Sequence, residues 1–118
     1  MGRVEEAIKL AATYMTDITD FLDEYGDIAV ESGPGLRFAE YLTSIISMIS
    51  HPPPLPEEFK VKCRRRPHRK PCNGIIEGDE DPETGELVWW CPECLDNGTI
   101  SNWQGTIWDL SDAWGVAH

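Results

Sequence analysis

The sequence predicts an α+β chain: an N-terminal antiparallel helical hairpin, a proline-rich spacer, and a three-stranded antiparallel module organised by cysteines. Three observations predict it. Apolar residues recur at helical spacing through the first 50 positions, and three successive prolines stand at 52–54. All four cysteines and all five tryptophans lie after position 60. A chain of 118 residues has room for one compact domain or two very small ones. The expected division is 1–50 for the helices, 51–59 for the linker, and 60–118 for the cysteine module with its C-terminal tail.

In the first half, Val4, Ile8, Ala11, Met15, Ile18 and Leu22 alternate at intervals of four and three, which places them on one helical stripe. Glu5 and Glu6 complement the positive end of that helix, and Gly26 suits the left-handed position that would stop it. A second helix is expected from Pro34 to Ser50, with Phe38, Leu42, Ile45 and Ile49 as its stripe and Ser32 as its cap. Pro52 forbids its continuation. The short connector at 27–33 would fold the two helices back antiparallel. Their seam then has to meet either the same seam of a second chain, as a homodimer, or this chain's own tryptophan-rich strands. The run His51-Pro52-Pro53-Pro54-Leu55-Pro56 reads as an extended, stiff spacer.

The second half carries Cys63 and Cys72, then Cys91-Pro92-Glu93-Cys94. Two thiolates separated by two residues bind one zinc ion when the backbone between them turns tightly. Pro92 sets φ for that turn, and Asp96-Asn97-Gly98 offers left-handed positions beyond it. Asn73–Glu77 and Glu86–Cys91 are β-prone, and Asp81-Pro82-Glu83-Thr84-Gly85 between them has the composition of a hairpin turn. Thr99–Trp108 offers a third strand, with Gly105 as a bulge. Strand alternation puts Leu87, Trp89 and Cys91 on one face and Val88 and Trp90 on the other.

Two cysteine pairs flanking a hairpin, with a third strand after a Cys-Pro-x-Cys turn, resemble a zinc ribbon over residues 61–108. The resemblance implies one structural zinc held by Cys63, Cys72, Cys91 and Cys94, with no open coordination position and no catalysis at the metal. It also marks a departure, because eight residues separate the first pair where the family has two. Either that loop is extended or His68 replaces one cysteine. A module of this size buries too little apolar surface to fold unaided, which gives a metal a structural task.

A different class competes. Trp90-Cys91-Pro92-Glu93-Cys94 has the spacing of a thiol-redox pair, but such a pair needs a helix N-terminus to lower the nucleophile's pKa. Leu95-Asp96-Asn97-Gly98 turns the chain instead. A third reading is a purely structural subunit.

Charge is distributed unevenly. The formal net charge is −11, from 21 acidic and 10 basic side chains. A protein that coats nucleic acid along its whole surface would be basic. Yet Lys60, Lys62, Arg64, Arg65, Arg66, Arg69 and Lys70 are seven of the ten basic residues, and most of them lie between the first two cysteines. Arg64, Arg65, Arg66, Arg69 and Lys70 are therefore candidates for binding an anionic partner, either nucleic acid or an acidic protein, with Trp89, Trp90 or Trp103 near enough to stack bases. The alternative use of these charges is neutralising the thiolates. No apolar run reaches the ~20 residues of a membrane span, and cysteines in a cytoplasmic setting read as metal ligands before disulfides. The expectation is a cytoplasmic, non-enzymatic zinc-binding adaptor.

Overall fold

The structure, a computed structural model, describes residues 14–111 apart from the His68 side chain. Strand β1 (Tyr14–Asp17) comes first, followed by helix α1 (Gly33–Ser50) and strands β2 (Glu77–Glu80), β3 (Leu87–Trp90) and β4 (Asn97–Ser101). Single 3-10 turns occupy Ile18–Phe21, Glu57–Phe59 and Pro67–Arg69. The strands form one sheet in the order β1-β4-β3-β2. The last three are an antiparallel meander, and β1 joins the edge of β4 in parallel, with Tyr14 opposite Gly98 and Asp17 opposite Ser101.

This corrects the expected helical hairpin and the expected three-stranded antiparallel module. The described part of the first stripe is not helical: Met15 lies in β1, Ile18 begins a 3-10 turn, and Leu22 bridges to Ile28. Val4, Ile8 and Ala11 lie outside the described residues. The local cause is side-chain competition for the backbone. The Asp17 carboxylate accepts the Thr19 N–H at 2.9 Å and the Thr19 hydroxyl at 2.5 Å, which turns the chain at that point. Asp23 repeats the device, accepting the N–H groups of Tyr25 and Asp27. The tertiary cause is the edge of β4. At Gly98 a Cβ atom would stand 2.6 Å from the Tyr14 carbonyl and 2.8 Å from the Trp89 ring, so only glycine lets β1 lie there.

Helix α1 matches its sequence pattern. Leu42 and Ile45 are fully buried, and Phe38 and Ile49 pack at the margin of the same cluster. Ser32 occupies the N-cap position without making a side-chain capping hydrogen bond. The stripe meets this chain's own sheet, where Leu87, Trp89 and Ile100 present one face. Tyr41 meets the Trp89 ring edge-on, and Tyr14 stacks on the same indole. The proline segment does not stand off as a spacer, since Leu55 packs against the core. The C-terminal end of the described chain returns to α1, where Ser47 donates to the Trp108 carbonyl at 2.9 Å and Leu110 N–H donates to Ser50.

The hairpin turn forms where expected, with Gly85 at φ +77° and its N–H donating to the Asp81 carbonyl. The Trp103 indole donates to the Gly85 carbonyl at 2.7 Å, tying the exit of β4 to the hairpin tip. The third strand is shorter than predicted. It ends at Ser101, and Gly105 lies in a turn beyond it instead of forming a bulge within it. No helix among the described residues is long and apolar enough to cross a membrane.

Candidate metal centre

Two loops bring the cysteines together at the end of the sheet opposite the hairpin tip. The first pair stands on a two-stranded neck. Cys63 N–H donates to the Gly74 carbonyl at 2.9 Å, Ile76 N–H donates to the Val61 carbonyl at 2.8 Å, and Lys62 bridges to Ile75. The eight residues between Cys63 and Cys72 form a loop closed by Cys72 N–H on the Arg65 carbonyl, with one 3-10 turn at its tip. The extended loop anticipated from the spacing is therefore present. The second pair follows β3 directly. Cys91 N–H donates to the Asp96 carbonyl and Leu95 N–H to the Cys91 carbonyl, so the chain reverses within six residues. The left-handed residue of this turn is Leu95, at φ +66°. Asn97 and Gly98, expected to supply such positions, already belong to β4.

The four sulfur atoms all lie within 4.8 Å of one another. Cys63 Sγ and Cys94 Sγ are 3.6 Å apart, as are Cys72 Sγ and Cys91 Sγ, and none of the four is in a disulfide. A regular tetrahedron with metal–sulfur bonds of ~2.3 Å has edges of ~3.8 Å, so the donor set fits a tetrathiolate-bound ion. Cys63 and Cys91 are buried, while Cys72 and Cys94 are partly exposed. The alternative ligand His68 stands in the Pro67–Arg69 turn, and its side chain lies outside the described part of the structure.

Backbone N–H groups converge on the sulfurs. Arg65 N–H points at Cys63 Sγ over 3.5 Å and Gly74 N–H at Cys72 Sγ over 3.3 Å. At Cys91, burial opposes ionisation, but the N–H groups of Cys94 and Glu93 together with the Cys72 and Cys94 sulfurs hold the thiol below its ordinary range. Burial pushes the Cys63 thiol up. At Cys72 the Gly74 N–H favours the thiolate, but burial and the Cys91 and Cys94 sulfurs push the thiol up. Without a cation the four groups cannot all ionise, and a divalent ion supplies the charge that lets them. Gly74 is required for space: a Cβ there would overlap Cys91 Sγ. The sequence reading missed this glycine, although its position two residues after a ligand was the available signal.

The arginines predicted for anion binding divide by contact. Arg65 reaches across to the second cysteine loop, donating from Nη1 to Asp96 Oδ1 at 3.1 Å, where Asp96 is only 5 % exposed. The Arg64 guanidinium lies over the rings of Phe38 and Tyr41, 5.0 and 5.3 Å from their centroids. Arg66 donates to the Arg69 carbonyl, and Arg66, Arg69 and Lys70 are all exposed. Trp89 and Trp103 are buried in the core and closed to bases, and Trp90 is half-buried.

The site is thus a cluster of four free thiols that could hold a metal ion, with a basic loop folded over one side. Compared with family models, curated proteins and solved structures, the chain finds no match in any of the three.

Proposed function

We propose that the protein is a non-enzymatic zinc-binding adaptor, in which one zinc ion on Cys63, Cys72, Cys91 and Cys94 fixes the basic loop for an anionic partner. The observation that carries this reading is the convergence of four sulfurs, from two separate loops, within 4.8 Å of one another. An all-thiolate tetrahedral donor set favours zinc over harder divalent ions. Four protein ligands leave no position for substrate or activated water, which makes the role structural.

The geometry supports a metal over redox catalysis by the Cys91/Cys94 pair. Sulfur contacts of 3.6 Å join one loop to the other, Cys63 to Cys94 and Cys72 to Cys91. Cys94 leads into a turn and then β4, so no helix N-terminus activates a nucleophile. Native mass spectrometry tests the proposal: one zinc per chain with all four thiols protected from alkylation is expected. A metal-free protein that cycles a Cys91–Cys94 disulfide would overturn it.

A further inference from the structure

Arg37 lies 23 positions before the basic stretch in the sequence, and it is the only Lys or Arg outside 60–70 among the described residues. The fold carries it to the same place. Arg37 and Arg64 line one cavity of about 530 Å³ beside α1, together with Pro34, Glu40, Tyr41 and Val61. An adjoining cavity along the same helix shares Glu40, Ser44 and Val61 and adds Lys60. Every described cation therefore lies in the loop or beside it. The acidic residues Glu77, Asp79 and Glu80 lie on the edge strand β2, and Asp81 and Glu83 on the hairpin turn that follows it.

Within this surface Arg64 is held in place. Its guanidinium carbon lies over the Phe38 and Tyr41 rings while the residue stays exposed, so its charge remains available. The first turn of α1, which carries Pro34 and leads into Arg37, has no acidic side chain to offset the positive end of the helix.

We propose that Arg37 and Arg64, continued by Arg66, Arg69 and Lys70, form a binding surface for the phosphate backbone of duplex nucleic acid. This rests on the adaptor reading above and names its partner. Duplex is favoured over single strand by the aromatic residues. Single-strand sites stack bases on exposed rings, whereas the rings that meet the loop, Phe38 and Tyr41, are covered by Arg64. An acidic peptide would need apolar anchors, and residues 64–71 offer only Pro67 and Pro71 beside their polar side chains. The acidic remainder of the molecule confines contact to this face. Glu40 is the one carboxylate lining the Arg37–Arg64 cavity, so it works against the same phosphates.

The test uses the full zinc-loaded chain and fluorescein-labelled 20-base-pair DNA, with single-stranded DNA and polyglutamate as the other arms. Binding to duplex should weaken with salt, with a log–log slope of about −3 to −4 if four of the five cations each meet a phosphate. Arg37→Glu should lower affinity by about tenfold or more and flatten the slope by about one, while zinc content stays at wild-type level. Glu40→Gln should do the opposite and tighten binding about two- to threefold, a gain that a merely structural residue would not give. Unchanged affinity in both variants overturns the proposal, and if Arg66→Ala/Arg69→Ala still weakens binding the adaptor reading survives it. Polyglutamate competing as well as duplex at equal charge also overturns it, in favour of an acidic protein partner. A chain that binds no zinc at all overturns the adaptor reading first.

Discussion

The two cysteine loops meet at one site but are built by different means. The Cys91–Cys94 loop is local: two backbone hydrogen bonds, the N–H groups of Glu93 and Cys94 on Cys91 Sγ, and a left-handed Leu95 shape it within six residues. The Cys63–Cys72 loop borrows its shape from elsewhere. Its neck is a ladder between 61–63 and 74–76, Arg64 leans on α1, and Arg65 is tied to Asp96 of the other loop. A short loop can carry its own geometry, whereas a long one has to be clasped by the rest of the fold.

Metal removal should separate the two most sharply. On the zinc reading proposed above, stripping the ion with a strong chelator should produce the largest loss of stability of any change considered, because structural zinc contributes ~10–16 kcal/mol in small zinc-finger peptides. Hydrogen exchange should locate that loss unevenly. The Cys72 amide, bonded to Arg65 within the long loop, should lose its protection, while the Cys91 and Leu95 amides keep part of theirs next to β3 and β4. Equal loss in both loops would erase the contrast between them.

Gly74 and Arg65 test the clasps individually. Gly74→Ala places a methyl group against Cys91 Sγ, and overpacking of this kind costs ~1–3 kcal/mol, here expressed as weaker metal binding in competition with a chromophoric chelator. Arg65→Ala leaves the buried Asp96 carboxylate without its cation and should lower the midpoint of thermal or denaturant unfolding. Adding Asp96→Asn to that variant should recover part of the loss, because the cost lies mainly in the stranded charge. If the double variant loses as much as the sum of the two single changes, Asp96 supports the second loop through its own contacts and not through Arg65.

The same contrast explains what the sequence could disclose. Helix α1, the hairpin at 81–85 and the Cys-Pro-x-Cys turn are written in contiguous residues, so periodicity and turn composition expose them. Strand β1 is not. It pairs in parallel with residues 98–101, more than 80 positions away, and Met15, Ile18 and Leu22 happen to keep helical spacing while Asp17 and Asp23 turn the chain by side-chain hydrogen bonds. The four cysteines could be grouped from sequence because they were few and their chemistry is specific. Arg37 could not be joined to the basic loop, because only the packing of α1 beside Val61 and Arg64 puts it there.

The smallest effect concerns backbone conformation alone. Each loop contains one non-glycine residue in the left-handed region, Leu95 at φ +66° in the short loop and Arg69 at φ +67° in the long one. The left-handed region costs an ordinary L-residue roughly 1–2 kcal/mol, and glycine removes most of that while adding ~0.4–1 kcal/mol of unfolded-chain entropy. Leu95 is 68 % exposed, so its side chain contributes little packing to set against the exchange. Leu95→Gly should therefore raise stability by up to ~1 kcal/mol, a shift of a few degrees in melting temperature. Because the short loop is organised locally, the gain should persist in the metal-free protein. Arg69→Gly should show its gain only with metal bound, since the long loop loses its native φ once the ion is gone. Melting curves of both variants, with and without zinc, give four values whose pattern decides the point. A Leu95→Gly gain that vanishes on chelation would mean that the short loop, too, is held by the ion.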